Sequence, residues 1–263
     1  MRRVIFNQKG GVGKSSITSN LAAISANSGK RTLVIDLDTQ ANTTHYLLGE
    51  PGHALEDTIA DLFNQSISFT LYPKSPIEFI HESPFPNLYV LPAGPELEHI
   101  EGKLESRYKI FKLRDALEKL NDEFDEIYID TPPAMNFYTR SALIASQRCL
   151  VPFDCDDFSR QALYTILGTI QEIREDHNDE LEIEGIIANQ FQPRARLPQQ
   201  LLDELKSEKL PVLPVTLPAS VKMRESHQQC RPLIYMAPSH KLTQQFVELH
   251  NVLNRKKRAK KKS

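Results

Sequence analysis

The chain has 263 residues, 40% of them hydrophobic and 25% charged, close to the globular average, which excludes a disordered polymer and a fibrous repeat. That length lies near the upper size of one domain, so a single large domain is expected. The formal charge is −2, yet seven of the last nine residues are basic, which leaves the rest of the chain at −9: an acidic body with a basic end. No stretch approaches the ~20 apolar residues of a membrane span, and residues 1–7 are too short for a signal peptide, so a cytoplasmic protein is expected. Three cysteines, Cys149, Cys155 and Cys230, without a C-x-x-C pair, argue against a disulfide framework or a thiolate metal site.

In chain order, residues 2–7 form a β-branched and aromatic run that ends in a glycine-rich turn, after which the apolar spacing changes to Ile17, Leu21 and Ile24. That is strand, loop, helix. The helix stops near Ser28-Gly29-Lys30, and residues 32–36 follow as a nearly continuous apolar strand, the pattern of a strand covered on both faces. Further strands are expected at 88–91, 126–130, 149–153, 183–188 and 212–215, and helices at 108–120, 138–146, 161–174 and 199–205. This alternation predicts an α/β fold with a mostly parallel, twisted sheet flanked by helices on both sides. Seven of the 17 prolines fall in 49–95, which predicts a loop-rich excursion with a short helix near 57–63. One domain over 1–254 and a basic, disordered tail over 255–263 complete the expected organisation.

The turn reads Gln8-Lys9-Gly10-Gly11-Val12-Gly13-Lys14-Ser15-Ser16. Its glycines let successive N–H groups curl toward an anion, and the helix N-terminus adds its positive dipole end. Lys14 is placed to reach the β and γ phosphates of a nucleotide, and the Ser15 hydroxyl to ligate a magnesium ion between them. The common phosphate-loop pattern needs glycine where this chain has Gln8.

K-G-G-V-G-K-S-S instead resembles the deviant Walker A motif of the ParA/MinD ATPases. The resemblance implies that residues 9–16 (Lys9, Gly10, Gly11, Val12, Gly13, Lys14, Ser15, Ser16) hold the phosphates. It also implies that Lys9 reaches across a dimer interface to the partner's ATP, adding positive charge where the transition state develops negative charge. Asp36-Leu37-Asp38-Thr39-Gln40-Ala41-Asn42 is similar to the family's D-x-D-P-Q-x-N segment, with Thr39 in place of proline. By that match Asp38 positions the attacking water and belongs to the magnesium surroundings, while Asp36 is structural or supports the residues that face the ligand. Asp130-Thr131-Pro132-Pro133 resembles the family's Walker B segment and implies that Asp130 holds magnesium through water.

A guanine-reading N-K-x-D signature is missing; Ile186-Ile187-Ala188-Asn189 ends a strand in one asparagine, whose amide can donate and accept toward adenine. The family uses an asparagine here, which favours ATP. Residues 217–226 and 231–235 resemble the ParA pattern I-P-R-N-V-R-L-S-E-A followed by G-x-P-V, placing Pro218 and Ser220 at the base, with Ser220 for asparagine and Cys230 for glycine.

The resemblance implies a weak, partner-stimulated ATP hydrolase. With ATP and Mg2+ it forms a sandwich homodimer, associates non-specifically with DNA on the nucleoid, and segregates or positions a plasmid, a chromosome or a protein cluster. A ParB-like or other activating protein is the expected partner. DNA contacts are expected at Lys222, Arg224 and Arg231 by resemblance and at Arg255, Lys256, Lys257 and Arg258 by charge. No segment precedes the first strand, so no fused helix-turn-helix is expected. One alternative is a MinD-like membrane regulator, disfavoured by a tail without Leu, Phe or Ile. The other, a cobyrinic acid synthase-type enzyme, is disfavoured by the missing Cys-His-Glu glutaminase set.

Overall fold

A computed structural model of the chain describes residues 1–50, 52–154, 159–192 and 195–260. The elements run β1 (Arg2–Ile5), α1 (Lys14–Asn27), β2 (Thr32–Asp36), α2 (Asn42–Leu48), α3 (Ile59–Asn64), β3 (His81–Glu82), β4 (Leu88–Leu91), α4 (Leu97–Ser106) and α5 (Lys112–Glu118). They continue with β5 (Glu126–Asp130), α6 (Phe137–Ala145), β6 (Arg148–Asp154), α7 (Ser159–Asp176), β7 (Glu182–Phe191) and α8 (Arg196–Ser207), and end with β8 (Leu217–Pro218), α9 (Val221–Gln228), α10 (Leu233–Met236) and α11 (Lys241–Lys260).

Among the described residues eight strands form one sheet in the order β3-β4-β2-β5-β1-β6-β7-β8. All pairings are parallel except β3 with β4. Successive side chains of a strand point to opposite faces, and the core divides accordingly. Val4, Leu33, Ile35, Ile127, Ile129, Cys149 and Val151 face a layer containing α3, α6 and α7. Ile5, Val34, Tyr128 and Leu150 face the layer built on α1 and α11. The expected layered α/β sheet is therefore present, and β1 lies at its centre between β5 and β6, with β2 beyond β5.

Several expectations shift. The strand expected at 212–215 is reduced to a single bridge between Val212 and Ile186; the last sheet strand is β8, two residues later in the chain. The 49–95 excursion holds α3, two 3-10 turns and the edge pair β3–β4. Its helix begins with a reciprocal cap between Thr58 and Asp61. The segment from 255 continues α11 through Lys260, because Arg, Lys and Ala are strong helix formers and cations favour a helix C-terminus. Leu242, Phe246, Leu249 and Leu253 bury one stripe of that helix, at the spacing of an amphipathic face. Of the cysteines, Cys149 and Cys230 are free, and Cys155 lies outside the described residues.

At the N-terminal edge of the sheet, opposite the glycine loop, Arg3 is 1% exposed and pairs with Glu126 at 3.1 Å and Glu184 at 2.7 Å. Lys30 lies 2.6 Å from the other Glu126 oxygen, and Tyr128 and Ser25 donate hydroxyls to Glu126. Burial by itself would raise the Glu126 carboxyl; the Arg3 and Lys30 charges outweigh it and hold it down to about 2. An unfolded Glu titrates near 4.5, so this contribution is fully present above that pH and is lost as pH falls toward 2, about 3 kcal/mol in all. Urea midpoints between about pH 5 and 2 check it. The parent declines through that window, while Glu126→Gln starts less stable, with Arg3 and Lys30 short of a counter-charge, and declines less. Parallel declines would contradict the assignment.

Candidate nucleotide-binding site

Because β2, β5 and β1 are neighbours, their C-terminal ends bring residues 36–38, Asp130 and the glycine loop to one edge of the sheet, where open α/β sheets bind ligands. The loop is held from below. Asn7 donates to Pro152 O (2.7 Å) and accepts from the Lys9 amide (2.8 Å). From β7, Asn189 donates to Val12 O (2.8 Å) and Gln190 to Gly11 O (2.6 Å). Gly13 has φ 88°, and a Cβ there would lie 2.3 Å from Asn189 Nδ2, so the position requires glycine on both counts. The first α1 bond runs from the Ile17 amide to Gly13 O (2.9 Å), which leaves the amides of the preceding turn without a helical acceptor, as an anion site needs.

Lys14 is 6% exposed, and its ammonium donates to Lys9 O at 3.0 Å. Burial lowers its pKa, and the nearby Asp130 and Asp38 carboxylates oppose the drop. Asp130 Oδ2 accepts from Thr43 (2.8 Å), Ser15 also hydrogen-bonds this carboxyl, and Asp130 Oδ1 is buried with no partner. Asp36 and Asp130 are register partners on adjacent strands. Burial pushes both carboxyls up, with carboxylate repulsion adding to it: Asp130 acts on Asp36, and Asp38 on Asp130.

Asp36 is fully engaged: Oδ1 accepts from the Asp38 amide (3.1 Å), and Oδ2 accepts from both the amide and hydroxyl of Thr44 (2.8 Å each). It anchors the first turn of α2. Asp38, 7% exposed, accepts from the Gln40 amide at one oxygen (3.0 Å), so it keeps acceptor capacity toward Lys14 and the loop. The orphan Asp130 oxygen, the Ser15 hydroxyl and Asp38 fit a magnesium ion that arrives with a nucleotide, since Mg2+ takes few protein oxygens and completes its shell with phosphates and water. Among the described residues no cluster of three or more His, Cys, Asp or Glu side chains could hold a metal by itself.

A cavity of about 340 Å³ adjoins the loop, lined by Gly11, Gly13, Ser16, Asn189, Pro218 and Ser220 among others. It brings together the loop and the three residues expected at the base. Two of those are partly committed: Asn189 to Val12, and Ser220, whose hydroxyl caps α9 by accepting from the Lys222 amide (3.2 Å). Arg224 lines the same cavity, and Lys222 pairs with Glu225 on α9. Arg231 is exposed beyond that helix, and Arg255 borders a separate groove with Lys30 and His250. The side chains of Lys256, Lys257 and Arg258 lie outside the described residues. Lys9 sits at the rim, 43% exposed and 3.4 Å from Asp154.

Thr43, Thr44, Gln190 and His227 also surround the loop and its carboxylates, beyond the residues expected from the sequence. The polar run Asn42-Thr43-Thr44 directly after the acidic segment was the available signal for the first two. Nothing local marks His227, whose ring nitrogen lies 2.9 Å from Ser16 Oγ.

A family model described as an AAA domain matches residues 3–183. The chromosome partitioning protein ParA of Myxococcus xanthus is 33% identical over 88% of this chain and 79% of its own. The sporulation initiation inhibitor protein Soj of Bacillus subtilis is 30% identical over 93% and 94%. In fold, the chain is similar to cobyrinic acid a,c-diamide synthase of Mycobacterium smegmatis with bound ATP analog and magnesium, at TM-score 0.83 and 24% identity, covering 97% and 94%. By that family match and that kinship with ParA and Soj, the chain belongs to the ParA/MinD family of P-loop ATPases.

Proposed function

We propose that this ParA-like ATPase uses ATP to gate the pairing of two copies, and that the pair associates with DNA until hydrolysis releases it. The observation that carries the reading is the contrast in burial between two lysines on one loop. Lys14 is buried beside Asp38 and Asp130, whereas Lys9 stands at the rim with 43% of its side chain exposed. A buried cation serves the nucleotide of its own chain; a rim cation can serve that of a second copy. Ser15, Asp38 and Asp130 would hold magnesium, which would supply positive charge against that of the phosphates. Asp38 would orient the attacking water, and ATP would favour the pairing-competent state only while the γ phosphate remains. Segregation or positioning of a cargo, stimulation by a ParB-like activator and nucleoid residence follow from the same reading. None of the described helices is long and apolar enough to cross a membrane.

DNA binding is tested on random-sequence duplex. A body at −9 repels phosphate, so affinity must come from local patches: Lys222, Arg224 and Arg231 around α9, and the basic end of α11. Log affinity is expected to fall linearly with log salt, by about 0.9 per phosphate neutralised, and to require ATP. Truncation after Asn254 is expected to lower both affinity and slope. Unchanged values would remove the basic end from the interface and leave the α9 cations; no binding with ATP at low salt would contradict the DNA reading.

A further inference from the structure

Behind the nucleotide cavity lies a hydrogen-bonded assembly that joins α1 and α2 to α9, far along the chain. Ser16, in the first turn of α1, lines the cavity, and its Oγ lies 2.9 Å from Nε2 of His227 on α9. His227 does not line the cavity. Its ring stacks on Tyr46 of α2, with centroids 4.3 Å apart and an interplanar angle of 21°. Tyr46 is 1% exposed, and its hydroxyl bonds Ser226 Oγ and accepts from Asn20 Nδ2 (3.3 Å). Asn20 Nδ2 also donates to Ser16 O (2.9 Å), and Ser226 donates to Arg231 O (2.6 Å). The imidazole therefore cannot swing away from Ser16 without unstacking from a buried tyrosine.

We propose that His227 is a positioning residue for nucleotide binding, which fixes the Ser16 hydroxyl so that its hydrogen is presented to a phosphate oxygen. This rests on reading the cavity as the nucleotide site. A serine hydroxyl has one hydrogen and two lone pairs, and a phosphate oxygen only accepts. If Nε2 took the serine hydrogen, Ser16 would have nothing to donate to the ligand. If Nε2 carries the hydrogen, Ser16 accepts from the ring and its own hydrogen is free for the phosphate. A neutral imidazole can adopt either tautomer, and the nucleotide selects the Nε2–H form. Burial disfavours the charged ring here, which keeps this choice open. The same helix begins at Ser220 in the base cavity, so α9 is set by the nucleotide at both ends.

The test is calorimetric titration of the full chain with ADP and with a non-hydrolysable ATP analogue, both with magnesium. His227→Phe keeps an aromatic ring for Tyr46 but removes the hydrogen bond, and is expected to weaken binding about tenfold. His227→Gln, whose amide nitrogen has similar reach, is expected to restore affinity to within about threefold of the parent. Ser16→Ala is expected to weaken binding, and adding His227→Phe to it to cost nothing further, because His227 acts through that hydroxyl. Thermal midpoints without nucleotide report folding; if His227→Phe does not fold, His227→Asn, whose amide is too short to reach Ser16, replaces it. Parent-like affinity of the non-bonding variant, failure of Gln to rescue it, or an undiminished loss in the Ser16→Ala background would overturn the proposal. Lys14→Ala in the same titration separates the two levels: its failure to bind upholds the nucleotide site whatever His227 does, and a parent that binds no nucleotide overturns both.

Discussion

Lys14→Ala is expected to abolish nucleotide binding, with no measurable heat of titration even at millimolar ATP. The ammonium is 6% exposed and already oriented by Lys9 O at 3.0 Å, so it needs little reorganisation to meet phosphate oxygens. In a water-poor setting a charge-assisted contact of this kind to a polyanion is worth several kcal/mol, on the order of 10³-fold or more in affinity. The substitution has a second consequence. Asp36, Asp38 and Asp130 meet at this edge, with Lys14 the cation set against Asp38 and Asp130. Its loss leaves a purely acidic cluster facing an acidic ligand, so the melting temperature without nucleotide should also drop. Affinity within tenfold of the parent would contradict the placement of Lys14 at the phosphates.

Asp38→Ala is expected to do the opposite: bind ATP about as well as the parent and turn it over at least about 10²-fold more slowly. Asp38 sits beyond the end of β2, accepts from the Gln40 amide at 3.0 Å, and is not tied down as Asp36 is by Thr44. Asp36 and Asp38 thus divide into an anchor for α2 and a carboxylate available to a water. Removing a negative charge near the phosphates also removes repulsion, which favours binding. Titrations with and without magnesium separate the two roles assigned to Asp38. A loss of affinity confined to the magnesium titration would make it chiefly a metal contact, and unimpaired turnover would exclude it from hydrolysis.

How legible the molecule was follows from how local each signal is. The strands β1, β2, β5 and β6 were readable because a strand covered on both faces has to be apolar throughout, and the loop because a phosphate cradle needs glycines where Gly11 and Gly13 adopt φ of 76° and 88°. α2 was not readable: Asn42-Thr43-Thr44-His45 has no apolar period, and it is a helix because Asp36 takes the Thr44 amide. The end of α11 was masked by its own charge, since the stripe from Leu242 to Leu253 anchors a helix whose last turns look like a solvated tail. At the site, alternation along the strand could not separate Asp36 from Asp38; the register of β2 against β5, which sets Asp36 beside Asp130, does. The contact from Ser16 to His227 spans 211 residues, and no local pattern announces a pair at that separation.

If ATP gates the pairing of two copies through Lys9, the mass in solution should follow the nucleotide, and light scattering reads that mass. In the Asp38→Ala background, where ATP persists, the mass is expected to double with ATP and magnesium and to stay monomeric with ADP. Adding Lys9→Ala is expected to keep ATP binding and leave the chain monomeric. A stable ATP dimer lacking Lys9, or a mass that ignores ATP altogether, would contradict the account.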